Sequence, residues 1–224
     1  MTATVSVEER LAESPVYRDF VAHSFFAGVE SANLAKEQAA LLIEQWWHPL
    51  HYFPTFLARC VSVLPDIAAK SAITRILNQE AGGGVVSRAH EVIYVKSMAK
   101  CGFDAERVTG TAPYAETAAL VAGYEAASAR QESALGFIFA TETTDLLMVS
   151  SIGKAVERAT GVTGNKWVTI HVAQEPDHVD QAKAALLAGL SPEQEEAVVA
   201  AADEMWRLWS GFFDRLVTES GVGA

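Results

Sequence analysis

The run His171-Val-Ala-Gln-Glu175-Pro-Asp-His178 sets two imidazoles and a carboxylate at positions i, i+4 and i+7. At about 100° per residue these side chains fall within roughly 60° on one face of a helix. Imidazole with carboxylate is a ligand set for a borderline divalent metal, and a mixed nitrogen and oxygen set with open positions suits iron that handles O₂. The competing reading of so short a cluster is a solvated helix face. Other groups at useful separations favour the metal. Glu80 precedes Gly82-Gly83-Gly84, and His90 follows Ser87-Arg88-Ala89. Glu142 lies among Phe137, Phe139, Leu146 and Met148. A carboxylate buried there needs a proton, a partner or a metal, because an unpaired buried charge is very costly. Asp145 shares that neighbourhood but is free to point to solvent, and it is left out of the set.

The elements must bring these groups together. In an unbroken helix Glu80 and His90 would stand roughly 15 Å apart, too far for one or two adjacent ions. A break is therefore required, and three consecutive glycines supply one. The alternative is a glycine cap followed by a new helix capped at Ser87, with both side chains exposed. Helices are predicted from Pro15 to about Val29 and from about Leu34 to Leu64, the latter bent at Pro49 and Pro54. Others run from Pro65-Asp66 to Glu80, from Ser87 to Lys100, near Ala115 to Arg130, and from Glu132 to Ala159. The last opens at Ser191-Pro192-Glu193-Gln194, where serine caps, proline takes the first helical position and glutamine completes a capping box. Its Trp206, Trp209, Phe213 and Leu216 form a stripe of the kind that builds core. Trp167 to Ile170 is too short to assign to helix or strand. Pro176 pushes Glu175 away from helical geometry, so the His171 to His178 helix is predicted to kink or unwind there. The expectation is an all-α bundle of seven to eight helices.

Half of the 224 residues are apolar, enough for one large core, and a single domain over 1–224 is expected. A formal charge of −11 argues against nucleic acid or an anionic membrane as partner. The stretch from Met1 to Arg10 lacks the apolar region of a leader, and a cytoplasmic protein is expected. Cys60 and Cys101 read as packed thiols, and a nucleophilic role has no local histidine to support it.

The ordered set of residues resembles the haem-oxygenase-like diiron oxidases and oxygenases, relatives in fold of thiaminase-type and pyrroloquinoline-quinone-forming helical proteins. The resemblance spans nearly the whole chain, from Gln45-Trp-Trp-His48-Pro-Leu-His51-Tyr-Phe53-Pro54 to the His171 to His178 run. That family's pattern is a Glu with a nearby His, a Glu on the next core helix, then His-x3-Asp/Glu-x2-His. Here it falls on Glu80, His90, Glu142, His171, Glu175 and His178. The resemblance implies that these six are the catalytic metal ligands of two iron ions cycling between Fe(II) and Fe(III), with O₂ as co-substrate and an external electron donor. Glu175 departs from the usual Asp by one methylene.

The nine residues between Glu80 and His90 are similar to the longer spacing of the nitrogen-oxidising branch, which recruits an additional Glu on the segment just before the His and a further Glu from the first core helix. Glu44 is the candidate for that seventh ligand. His48 and His51 follow at i+4 and i+7, with packing beside Trp46 and Trp47 as their favoured role. The resemblance implies N-oxygenation of a small amine to a nitro or nitroso group in natural-product biosynthesis, as in the conversion of 2-aminoimidazole to 2-nitroimidazole. Desaturation or C–C cleavage of an amino acid or fatty acid is the second reading. A cofactor-free thiaminase-type protein is the third. Phe137, Phe139 and Trp167 are expected to wall the site, Arg59, Arg88 and Lys154 are candidate substrate anchors, and a homodimer is expected.

Overall fold

A computed structural model describes residues 6–186 and 189–223. Residues 1–5, the head of the stretch read as free of a leader, lie outside them, as do 187–188 and 224. Among the described residues the chain forms α1 (Val7–Ala12), α2 (Pro15–Val21), α3 (Ser24–Ser31), α4 (Lys36–Val63), α5 (Ile67–Glu80), α6 (His90–Lys100), α7 (Ala105–Gly110), α8 (Ala115–Ala127), α9 (Gln131–Thr160), α10 (Lys166–Leu186) and α11 (Pro192–Ser220), with no strand. Eight of these helices have eight residues or more, which matches the all-α bundle expected.

Local chemistry sets most of the boundaries. The Asp66 carboxylate accepts from the backbone N–H groups of Ala68 and Ala69 and starts α5. Ser191 and Gln194 form the capping box that starts α11, with Pro192 at the first position, and both caps satisfy donors a helix start leaves open. Gly161, with φ of +70°, ends α9. The helix expected from Pro15 to Val29 is two, because His23 accepts from the Phe25 N–H and caps a second start. The helix expected from Ser87 begins at His90, and Val86–Arg88 forms one 3₁₀ turn before it.

Helix α9 is the axis of the bundle, packed against α3, α4, α10 and α11. It is long and apolar enough to cross a membrane, but 72% of its most apolar stretch is buried inside the protein. A side chain at Gly136 would meet the Val198 carbonyl at 2.5 Å, so glycine there lets α11 lie close against α9. Trp206, Trp209, Phe213 and Leu216 are all buried, as their stripe predicted.

The unwinding predicted at Glu175 is absent. Helix α10 runs without interruption through Pro176, just as α4 runs through Pro49 and Pro54. Proline removes one backbone hydrogen bond, to the carbonyl four residues back. For Pro176 that carbonyl belongs to Val172, which is 54% exposed, so water can satisfy it. The helix is also pinned from outside. Arg75 on α5 makes two hydrogen bonds to Asp177, at 2.9 and 2.7 Å, and Gln79 adds a third.

Candidate metal centre

Six side chains converge between α5, α6, α9 and α10. Glu80 closes α5 and His90 opens α6, and the link between them is the glycine turn, where Gly82, Gly83 and Gly84 take φ of +80°, +61° and +80°. At Gly82 an added Cβ would lie 2.5 Å from the Ala89 nitrogen and the Val85 carbonyl oxygen. Only glycine fits a turn that tight. The result is that Glu80 Oε1 lies 2.9 Å from His90 Nδ1, with both residues buried.

Two triads result, each with ligand atoms within 4.8 Å of one another: Glu80, His90 and His171, and Glu142, Glu175 and His178. All six residues are buried. The triads adjoin, since His178 Nδ1 lies 3.9 Å from Glu80 Oε1, 3.3 Å from Glu142 Oε2 and 3.8 Å from Glu175 Oε2. The first triad has the two-histidine, one-carboxylate composition of non-haem Fe(II) oxygen-activating sites.

Two of the imidazoles are oriented by a neighbour on the ring nitrogen that faces away from the carboxylates. His171 Nδ1 donates to the Trp167 carbonyl at 2.8 Å, which leaves Nε2 free. His90 Nε2 bonds Gln174 Oε1 at 2.8 Å, which leaves Nδ1 toward Glu80. A partner of this kind fixes the tautomer of a metal-binding histidine. Gln174 was not singled out from the sequence, though its place three residues after His171 puts it on the ligand face of α10.

The charges fit a site made for cations. Burial works to raise the Glu80 carboxyl, but His90, His171 and His178 outweigh it and hold it down to about 2. Burial works to lower His178, but Glu142, Glu80 and Asp145 push it up to about 9. Burial also pushes Glu142 up, and it pushes Glu175 up strongly with the added repulsion of Asp145 and Glu142. Glu142 Oε1, both Glu175 oxygens and His178 Nε2 are buried with no hydrogen-bond partner. Buried polar atoms are almost always paired, so these atoms fit residues that close on a metal.

Glu44, the candidate seventh ligand, stands elsewhere. It is buried on α4 but pairs with Arg107 Nε at 2.6 Å and accepts from the Thr111 hydroxyl at 3.0 Å. His48 Nε2 lies 3.0 Å from the Thr111 carbonyl oxygen, and His51 stacks on Trp47 and pairs with Glu91. His51 thus packs beside Trp47, the role favoured for it. Asp145 was omitted as solvent-facing, yet its side chain is only 17% exposed and its Oδ2 lies 4.0 Å from His171 Nε2. Its position three residues after Glu142 on a helix was the signal that would have found it.

A small cavity opens on these groups, with about 30 Å³ of free space for water-sized spheres, room for about two waters. Trp46, Pro49, Leu50 and Phe53 of α4, Tyr124 of α8, Thr141 of α9 and Trp209 of α11 complete its wall, with Glu80, Glu142, Asp145 and His171 on the metal side. The expected wall residues serve otherwise. Phe137 packs on Tyr124, Phe139 lines a separate pocket, and Trp167 packs edge-on to His171. The candidate anchors Arg59, Arg88 and Lys154 do not line the cavity. Arg59 bonds Ser128, and Lys154 pairs with Glu157.

Residues 40–210 match the sequence profile of a family described as iron-containing redox enzymes. No curated protein matches the chain. Among solved structures it is similar to a domain of unknown function with a heme oxygenase-like fold from Shewanella denitrificans, at 20% identity and a TM-score of 0.77, over 97% of this chain and 94% of that one. A CADD-like protein of unknown function from Nostoc punctiforme is similar at 17% identity and a TM-score of 0.73, over 98% and 92%. A TenA homolog from Pseudomonas syringae pv. tomato is similar at 15% identity and a TM-score of 0.76, over 97% and 95%. At these identities the likeness is one of fold, which is haem-oxygenase-like.

Proposed function

The chain belongs to the iron-containing redox enzyme family, and from that premise we propose that it is a non-haem diiron, O₂-dependent oxygenase that oxidises the nitrogen of a small amine. The observation that carries the reading is the pair of adjoining buried triads with unpaired ligand atoms, opening on a cavity walled by aromatic side chains. Glu80, His90 and His171 would hold one ion, and Glu142, Glu175 and His178 the other. Ferrous ions there would supply electrons for reductive activation of O₂, with an external donor restoring them.

The chain's own groups shape the rest. Trp46, Leu50, Phe53 and Trp209 keep bulk water from the metal face, which protects a reactive oxidant. Tyr124 and Thr141 bond one another at 2.9 Å in the wall. Burial raises the Tyr124 hydroxyl well above its ordinary range, so it keeps its proton and serves as a hydrogen-bond donor for orienting a bound amine. Among the described residues no Lys or Arg lines the cavity, which favours a substrate without a carboxylate over an amino acid or fatty acid, and the small volume disfavours a long acyl chain. The unpaired ligand atoms weigh against a cofactor-free, thiaminase-type role.

The test is anaerobic loading with Fe(II), removal of unbound metal, and counting of iron per chain, followed by mixing with O₂ and a screen of small amines for nitroso and nitro products. The expected result is about two irons per chain and oxidised nitrogen in the product. Iron retention with desaturated or cleaved carbon products would favour the carbon chemistry, and no retained iron, with or without amine, would favour the cofactor-free reading. Activity as a cytoplasmic homodimer is part of the proposal, checked by sedimentation.

A further inference from the structure

The carboxylate that the structure brings to the centre beyond the two triads is Asp145. It follows Glu142 by three residues on α9, so the two side chains share a helix face, and both line the cavity. Asp145 Oδ2 stands 4.0 Å from His171 Nε2, the nitrogen that the Trp167 carbonyl leaves free. Two ligands at about 2.1 Å from one ion lie roughly 3 to 4 Å apart. Glu175, on the neighbouring α10, has both carboxylate oxygens buried with no hydrogen-bond partner among the described residues.

We propose that Asp145 is a seventh metal-directed group of the centre, a fourth carboxylate supplied from α9, and that Glu44 has no part in holding metal. The proposal rests on the diiron reading above. Charge supports it independently of distance. Glu80, Glu142 and Glu175 bring three negative charges against four positive charges on two divalent ions, and Asp145 makes the buried centre neutral. A buried site that is left charged is costly. Among the described residues no Lys or Arg pairs with Asp145, and its only ion-pair neighbour is His171. Glu44 has its counter-charge already in Arg107.

The experiment compares the full-length wild type with Asp145→Asn and Asp145→Glu, each titrated anaerobically with Fe(II) against a chromophoric chelator. Asp145→Asn should bind its weaker iron at least about 10-fold less tightly and retain closer to one iron per chain after desalting. Asp145→Glu should recover most of the loss. Crystallography of the iron-loaded wild type, which needs no substitution, should place an Asp145 oxygen about 2.2 Å from one iron, and it decides the matter if Asp145→Asn does not fold. Two irons held with wild-type affinity by Asp145→Asn, or an iron-loaded structure in which Asp145 touches neither ion, overturns the proposal and leaves the diiron reading standing. A wild type that binds no iron overturns both.

Discussion

Glu44 and Glu142 are equally buried, at 2% exposure each, and both lie in long core helices, yet the protein treats them in opposite ways. Glu44 is neutralised in place by Arg107 and by the Thr111 hydroxyl. Glu142 meets a histidine, His178 at 3.3 Å, and further acids, Asp145, Glu80 and Glu175, that repel it. A buried carboxylate whose cation is covalently part of the chain is a structural pair. One whose neighbours are histidines and other carboxylates has no such cation in the chain and fits an ion from solution. This distinction, rather than burial or helix position, is what the proposed ligand set rests on.

The contrast can be broken most directly at Glu142. Glu142→Ala should weaken iron binding at least about 100-fold, because it removes a carboxylate from the Glu142, Glu175 and His178 triad. Retained iron would remove Glu142 from the site. The next effect in size is at the turn that joins the first two ligands. Gly82→Ala forces a left-handed conformation and a backbone clash, so about 2 kcal/mol of stability should be lost. Iron should then bind more weakly, because His90 can no longer meet Glu80. A melt with unchanged Tm would contradict the geometry.

Acidity gives a smaller, graded effect. Because His178 is raised from 6.5 to about 9 when folded, its stabilisation is complete below pH 6.5 and lost as pH rises through about 9. The raised Glu142 and Glu175 act in the same direction. Glu80 acts oppositely, its stabilisation being present above pH 4.5 and lost as pH falls through about 2. The metal-free protein should therefore melt progressively lower between pH 6.5 and 9.5, and the iron-loaded protein should lose less, since ions replace the protons. Parallel melting curves for the two forms would show that the site is not where the protons are held. The smallest effect belongs to Glu44. Glu44→Gln should leave the iron count unchanged and cost about 1 kcal/mol, because the guanidinium of Arg107 is 54% exposed and water can take over its charge. Arg107→Ala should cost more, about 2 kcal/mol, since it strands a buried carboxylate. Loss of iron in Glu44→Gln would return Glu44 to the ligand set.

Much of this was legible in the chain. Helical periodicity and the serine, aspartate and glycine punctuation at Asp66, Gly161 and Ser191 located most of the long helices, because caps act through local hydrogen bonds. The His171, Glu175 and His178 spacing is a local property of one helix, and the glycine run announced a break between Glu80 and His90. The errors arose where an outcome depends on distant partners. Proline chemistry argued for unwinding at Glu175, but exposure of the Val172 carbonyl and the Arg75 to Asp177 clamp keep α10 intact. The wall of the cavity comes from α4, α8, α9 and α11, and no local pattern marks Trp46 or Trp209 as facing the buried acids and histidines instead of core.

By itself the sequence determined that this is a helical protein with a set of histidines and acids at metal-ligand spacing, because periodicity, capping and i, i+4, i+7 placement are properties of neighbours along the chain. Only the tertiary structure decided what each acid faces. It brought Arg107 to Glu44, and it turned Asp145 inward beside His171. Whether a buried carboxylate is neutralised by the chain or left for a cation depends on which helix packs against it.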